Sequence, residues 1–291
     1  MNWRAILDRL DSYEKLLRLD KPIGTLLLLW PTLWALWLSS SGQPNWKIVW
    51  IFVLGTVLMR SAGVAVNDFA DREFDPHVAR TKDRPLATGR IRPLEALVLA
   101  GVLALTAFVI ILPLGRLVVL LAFAALFLAF SYPFTKRFFA LPQAYLGVAF
   151  GFGIPMAYAA QTGGVPVLAW VLLLANIFWT IAYDTEYAMV DRDDDRKLGI
   201  RTAAILFGRY DVAAVMASHA LFLTVMAWIG WRSSAAWPYY AGLAGAALLA
   251  AVQFGLIRQR EPYRCFRAFL QNNWVGATVF AGIALAYLLR G

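Results

Sequence analysis

Apolar stretches recur along the chain, separated by polar segments. Nine of them approach the roughly 20 residues of a membrane-spanning helix: 23–41, 48–66, 94–113, 117–133, 138–160, 165–183, 211–231, 236–256 and 274–290. Apolar residues run continuously through each, where a transmembrane β-barrel strand would alternate them with polar ones. The pattern predicts an all-α, polytopic membrane helix bundle, a single domain over 1–291 with nine transmembrane helices. Composition agrees: 60% of the residues are apolar, 15% are charged and the mean hydropathy is +0.62. A soluble domain needs more polar surface than this, and a disordered chain is polar and poor in aromatics.

Charge adds an orientation. The 27 Lys and Arg concentrate in alternate connections: five in 1–22, six in 67–93, two in 134–137, five in 184–210 and four in 257–273. The positive-inside rule then places the N-terminus and these segments in the cytoplasm. The net charge of +9 reads as this bias and as affinity for anionic membrane lipid, with no nucleic acid partner implied. Segment 1–22 lacks an apolar signal-peptide core and carries Asp8, Asp11, Glu14 and Asp20. It predicts an amphipathic helix lying on the membrane. Trp30, Trp34, Trp37, Trp46 and Trp50 mostly read as interface anchors, with some left to line an apolar channel. The one cysteine, Cys265, excludes an internal disulfide.

All 18 Asp and Glu fall in, or at the end of, the same cytoplasmic segments. Acids have little effect on orientation, so their gathering at one face points to a site. The second span runs without a break into Asn67-Asp68-Phe69-Ala70-Asp71-Arg72-Glu73-Phe74-Asp75, a stretch with no Gly or Pro before Pro76. The helix is predicted to continue to Asp75, with Asn67, Asp71 and Asp75 on one face. The sixth span ends alike, with Asp184, Asp191 and Asp195 spaced by seven and four. These spans are four apart, so the chain reads as a weak repeat of four-helix units plus a ninth helix.

Like charges at such spacing destabilise a helix, more so near lipid, unless a cation neutralises them. Oxygen ligands without His or Cys suit Mg²⁺, which bridges one or two carboxylates to substrate phosphates. The candidate metal ligands are Asn67, Asp68, Asp71, Asp75, Asp184, Asp191 and Asp195. Bases follow each acidic run, Arg80 to Arg90 and Arg196 to Arg201, and suit the outer oxygens of a diphosphate. Lys21, before Pro22, and Arg84 are such donors. Arg60 lies deep inside a span, where a charge is expensive and should face a cavity.

At these residues the chain resembles the UbiA superfamily of intramembrane aromatic prenyltransferases. The signatures are NDxxDxxxD, here Asn67 to Asp75, and the aspartate-rich run Asp184 to Asp195. RLDKPIGTLLLLWPTLWAL at 18–36, RSAGVAVNDFADREFD at 60–75 and YDTEYAMVDRDDDRKLGIRT at 183–202 resemble the 4-hydroxybenzoate polyprenyltransferase branch. The resemblance implies a central cavity open to the membrane, with a cytoplasmic-side active site formed by loops 67–93 and 184–210. It implies Mg²⁺, polyprenyl diphosphate and 4-hydroxybenzoate as cofactor and substrates, a bacterial inner membrane location and a step in ubiquinone synthesis. Asp71 and Asp191 are then the central catalytic aspartates, with Asp191 or the released diphosphate as the base that takes the ring proton, and Arg137, after the fourth span, and Arg60 are the candidates to hold the acceptor carboxylate. The alternatives are another aromatic acceptor, such as homogentisate or dihydroxynaphthoate, or a lipid phosphotransferase. A divalent-cation transporter is of a different class, but its path would need polar residues towards the far face.

Overall fold

The computed structural model describes residues 3–135 and 137–290. Lys136, one of two bases after the fourth predicted span, lies outside them. Among the described residues the chain is helical, without strands. The helices are α1 (Trp3–Leu17), α2 (Ile23–Ser39), α3 (Trp46–Ala70), α4 (Pro93–Ile111), α5 (Arg116–Thr135), α6 (Pro142–Gly151), α7 (Gly153–Thr162), α8 (Val167–Ala188), α9 (Arg192–Leu198), α10 (Ala203–Phe207), α11 (Asp211–Arg232), α12 (Trp237–Ile257) and α13 (Pro262–Leu288). Six stretches among them are long and apolar enough to cross a membrane: α3, Pro93–Leu114, α5, α8, Ala203–Arg232 and α12. α2 is apolar but shorter, at 17 residues.

Two predicted spans take another form. Segment 138–160 is not one helix but two of ten residues, α6 and α7, meeting at Phe152. The Pro155 ring would clash with the carbonyl of Gly151 in a continuous helix, so the chain restarts there. The stretch 274–290 is the end of the 27-residue α13, which begins at Pro262. Its polar first half stays helical because neighbouring helices take up its amides. Asn272 donates to Glu186 (2.8 Å) and accepts from the Trp179 indole (3.0 Å), and Asn273 accepts from Trp30 (2.9 Å).

Lipid gives apolar helices little hydrophobic reason to associate, so close packing and interhelical hydrogen bonds hold such bundles. Both are present. Gly147 and Gly151 of α6 lie against α8 so closely that a Cβ would come within 2.8 Å of Ile177 Cα and 2.5 Å of Asn176 Nδ2. Trp34, Trp179 and Phe222 are fully buried and stack with centroids 5.2–5.9 Å apart. Trp34 is therefore a core residue, not the interface anchor its position suggested, whereas Trp46 and Trp50 are exposed.

α1 packs on the bundle rather than lying free. Arg9 and Tyr13 both bond the Glu95 carboxylate at the start of α4, and Ser61 of α3 donates to the Leu17 carbonyl. Trp3, Leu7 and Leu10, at helical spacing, remain exposed on the other side.

Candidate active site

α3 stops at Ala70, one turn short of the predicted Asp75. The polar run after it contributes no apolar face to pack, and Pro76 denies the next turn a backbone donor. Asp71 caps the helix: its N–H donates to the Asn67 carbonyl (2.9 Å), and the Asn67 amide donates to the Asp71 carboxylate (3.1 Å). Asp75 follows in a short 3₁₀ turn, its N–H on the Asp71 carbonyl (2.8 Å). The expected stripe is thus preserved in hydrogen bonds although the α-helix is not.

Asp68 is completely buried and sits between two arginines. Arg18 Nη2 donates to both of its oxygens (2.9 and 3.1 Å), and Arg84 pairs with Asp68 at 3.0 Å and Asp75 at 2.9 Å. Burial pushes the Asp75 carboxyl pKa upward, with Asp68 and Asp71 adding to the push and Arg84 opposing it. Burial also works against the Arg84 charge, but Asp68 and Asp75 outweigh it and its pKa rises.

The second run is likewise not one helix. α8 ends at Ala188, and Asp191 stands immediately before the seven-residue α9. Asp195 remains one turn from Asp191, its N–H on the Asp191 carbonyl (2.9 Å). The loop after the first run reaches across to the second. Arg80 bonds Asp191 with Nε and Nη2 (2.5–3.1 Å) and lies 4.5 Å over the Tyr187 ring, while the Ala79 N–H donates to Asp194 (3.3 Å).

One cavity of about 840 Å³ joins these groups. Asn67, Asp68, Asp71, Asp75, Asp184, Asp191 and Asp195 all line it, as do Lys21, Arg60 and Arg84. Beyond them the walls are apolar, with Ile51, Phe52, Ile111, Phe123 and Met156. Arg60 is the deep cation. Its guanidinium lies 5.8 Å from the Phe150 ring and fills the space where Gly24 has no side chain; a Cβ there would come within 2.3 Å of it. Arg60 Nε is buried and has no hydrogen-bond partner among the described residues. Arg137 is placed elsewhere: it is exposed, outside the cavity lining, and donates to the Ala70 carbonyl at the end of α3 (3.1 Å).

Arg18 was missed as a site residue, and Arg80 was no more than one member of a basic run. Arg18 adopts a left-handed conformation (φ 55°), so helical spacing gives no hint of where its side chain goes. Arg80 and Asp191 lie far apart in sequence, which local pattern does not relate.

Do these groups fit a divalent ion? Among the described residues, no three His, Cys, Asp or Glu side chains close around one point. Arginines balance several of the carboxylates instead. Mg²⁺ needs only one or two carboxylates when waters and phosphate oxygens complete its shell. An oxygen-only set along one cavity wall meets that requirement, with cations alongside for the phosphates.

A helical membrane bundle with charged groups at one end of an otherwise apolar cavity defines a protein suited to an anionic headgroup carried on a hydrocarbon tail. The chain belongs to the UbiA prenyltransferase family, which matches residues 28–276. It is 65% identical to the 4-hydroxybenzoate octaprenyltransferase of Thiobacillus denitrificans, over 98% of either chain. It is 61% identical to the protein of that name from Dechloromonas aromatica, over 100% of this chain and 99% of the other. Among solved structures it resembles the apo UbiA homolog of Aeropyrum pernix K1, with a TM-score of 0.80 and 25% identity over 90% of this chain and 98% of that one. An Archaeoglobus fulgidus UbiA homolog bound to GPP and Mg²⁺ shares the fold, with a TM-score of 0.74 at 16% identity, over 96% of this chain and 99% of that one.

Proposed function

We infer that this multi-pass membrane protein transfers a polyprenyl group from polyprenyl diphosphate to 4-hydroxybenzoate, at the ring carbon ortho to the hydroxyl, in ubiquinone biosynthesis. The observation that carries this is the cavity: the seven candidate ligands gathered with several cations at one end, mostly hydrocarbon walls beyond. The full-length relatives' names supply the acceptor and an octaprenyl donor. Nine membrane crossings, with the N-terminus and the charged end of the cavity in the cytoplasm, accord with the charge pattern.

Asn67, Asp71 and Asp75 would hold one Mg²⁺, and Asp191 and Asp195 a second, with Asp68 and Asp184 in support. When bound, Mg²⁺ supplies Lewis acidity to the leaving diphosphate. Arg80, Arg84 and Lys21 donate to its outer oxygens. Arg80 and Arg84 also pair with Asp191, Asp68 and Asp75, which offsets part of the carboxylate charge. The apolar walls keep water from the allylic cation left when the C–O bond breaks. Arg60 holds the acceptor carboxylate, which gives its unpartnered Nε an acceptor. The ring carbon forms the new C–C bond, and its proton passes to Asp191 or to diphosphate. A cation path across the membrane has less support, because the carboxylates that line the cavity gather at one end of it.

The test is incubation of purified protein with Mg²⁺, octaprenyl diphosphate and a panel of phenols, read by mass spectrometry. A product at the mass of octaprenyl-4-hydroxybenzoate is expected. Preference for homogentisate or dihydroxynaphthoate would move the chain to another branch of the family.

A further inference from the structure

Behind the second acidic run, outside the cavity lining, lies an ion cluster built on a buried carboxylate. Asp211, the first residue of α11, is fully buried. Its carboxylate takes Arg192 of α9 on one side. On the other it takes Arg260, through Nε (3.0 and 3.2 Å) and Nη2 (2.8 Å). Arg260 stands in the connection between α12 and α13 with a left-handed backbone (φ 58°) and also donates to the Arg209 carbonyl (2.8 Å). A non-glycine residue at such φ costs energy and persists only where its surroundings hold it. Asp211 therefore joins α9, α11 and the α12–α13 connection at one point. None of these three residues lines the cavity.

The tether matters because of what it grips. α9 is seven residues long, too short to hold itself by helix formation alone. Asp191 and Asp195 line the cavity at a spacing of four, which puts them on one face. Arg192 directly follows Asp191 and projects away from that face to Asp211. Arg80 holds Asp191 from the cavity side, but in the proposed reaction Arg80 turns to the diphosphate. Arg192 on Asp211, with the Ala79 N–H on Asp194, then still fixes the start of α9.

We propose that Asp211 is a positioning residue for the reaction: through Arg192 it holds Asp191 and Asp195 at the orientation in which they bind Mg²⁺ with the diphosphate. This rests on the reading of those two aspartates as metal ligands. Asp211 bears no direct contact to either substrate. Removing it would take the shared partner from both arginines and loosen α9 and the α12–α13 connection together, so the informative variants are at its partners. Arg192→Met frees α9 and leaves Asp211 paired with Arg260. Arg260→Met frees the α12–α13 connection and leaves Asp211 paired with Arg192.

Full-length protein is purified in detergent for two readouts. One is the Mg²⁺ concentration for half-maximal prenyl transfer. The other, independent of turnover, is the rise in thermal midpoint on adding Mg²⁺ with inorganic pyrophosphate. Arg192→Met should need about tenfold more Mg²⁺, the lower end of what loss of a ligand-orienting contact costs, and should lose most of the pyrophosphate protection. Arg260→Met should lower the starting thermal midpoint but keep wild-type Mg²⁺ dependence. Arg192→Lys, which keeps the charge on Asp211, should recover part of the loss. If Arg192→Met does not fold, Arg192→Lys carries the test with a smaller shift in the same direction. Wild-type Mg²⁺ dependence in the Arg192 variants, or an equal shift in Arg260→Met, overturns the proposal. Asp191→Ala is measured alongside: if it too keeps wild-type Mg²⁺ dependence, the metal-ligand reading itself has failed.

Discussion

The first acidic run sits at the end of the 25-residue α3 and is held from within the cavity; the second leads into a seven-residue helix and is also held from behind. Asp68 has no exposed surface and is clasped by Arg18 and Arg84. Asp191 is 13% exposed and meets Arg80 at the cavity wall, while its neighbour Arg192 is anchored on Asp211. In the first run the structural and chemical duties fall on the same carboxylates. In the second they are divided, with Asp191 and Asp195 facing the cavity and Asp211 bearing the load elsewhere. A buried charge whose partner is removed is costly, whereas a charge beside solvent relaxes at little cost. The two runs should therefore fail differently.

The largest effect is expected at Asp68. Asp68→Ala strands Arg18 and removes one of the two carboxylates of Arg84. It should abolish prenyl transfer and also destabilise the fold, by about 3–5 kcal/mol on the scale of broken buried pairs. Thermal unfolding in detergent reads the second part, and a wild-type melting curve would erase the distinction between the runs. Asp191→Ala should cost activity alone, about a hundredfold or more if it serves as metal ligand or base. Its thermal midpoint should stay near wild type; a collapse equal to that of Asp68→Ala would show that the second run is structural as well.

Outside both runs, Arg60→Leu sharpens the division between donor and acceptor. It should raise KM for 4-hydroxybenzoate about 10- to 100-fold, the range for losing a hydrogen bond to a charged group, and leave KM for the diphosphate unchanged. A shift in the donor KM instead would reassign Arg60 to the first substrate. Arg137→Ala is the smallest. That side chain tops the end of α3 outside the cavity, so both KM values should stay within about twofold, as for exposed substitutions generally. A selective rise in acceptor KM would return it to the substrate site.

The residues differ in how visible they were before the structure. The acids were legible because charge on apolar helices is rare and the two runs repeat a spacing. Their gathering on one cavity follows from that. Helix ends were less so: Asp71 and Asp75 keep helical hydrogen bonds after the α-helix has ended, and sequence spacing does not separate the two cases. The break at Phe152 had a signal, Pro155, which a hydropathy window overlooks by counting apolar atoms rather than backbone donors. The polar start of α13 failed the same window, since Asn272 and Asn273 are tolerable only because Glu186, Trp179 and Trp30 meet them. Arg18, Arg80 and Asp211 act through partners distant in sequence, and a single chain carries no local mark of such pairs.

The central claim is that both acidic runs serve one Mg²⁺-assisted diphosphate site. The most direct measurement is prenyl transfer to 4-hydroxybenzoate by purified protein as free Mg²⁺ is titrated down with chelator and then restored. Product should vanish with the metal and return with it. Full turnover in excess chelator would contradict the account.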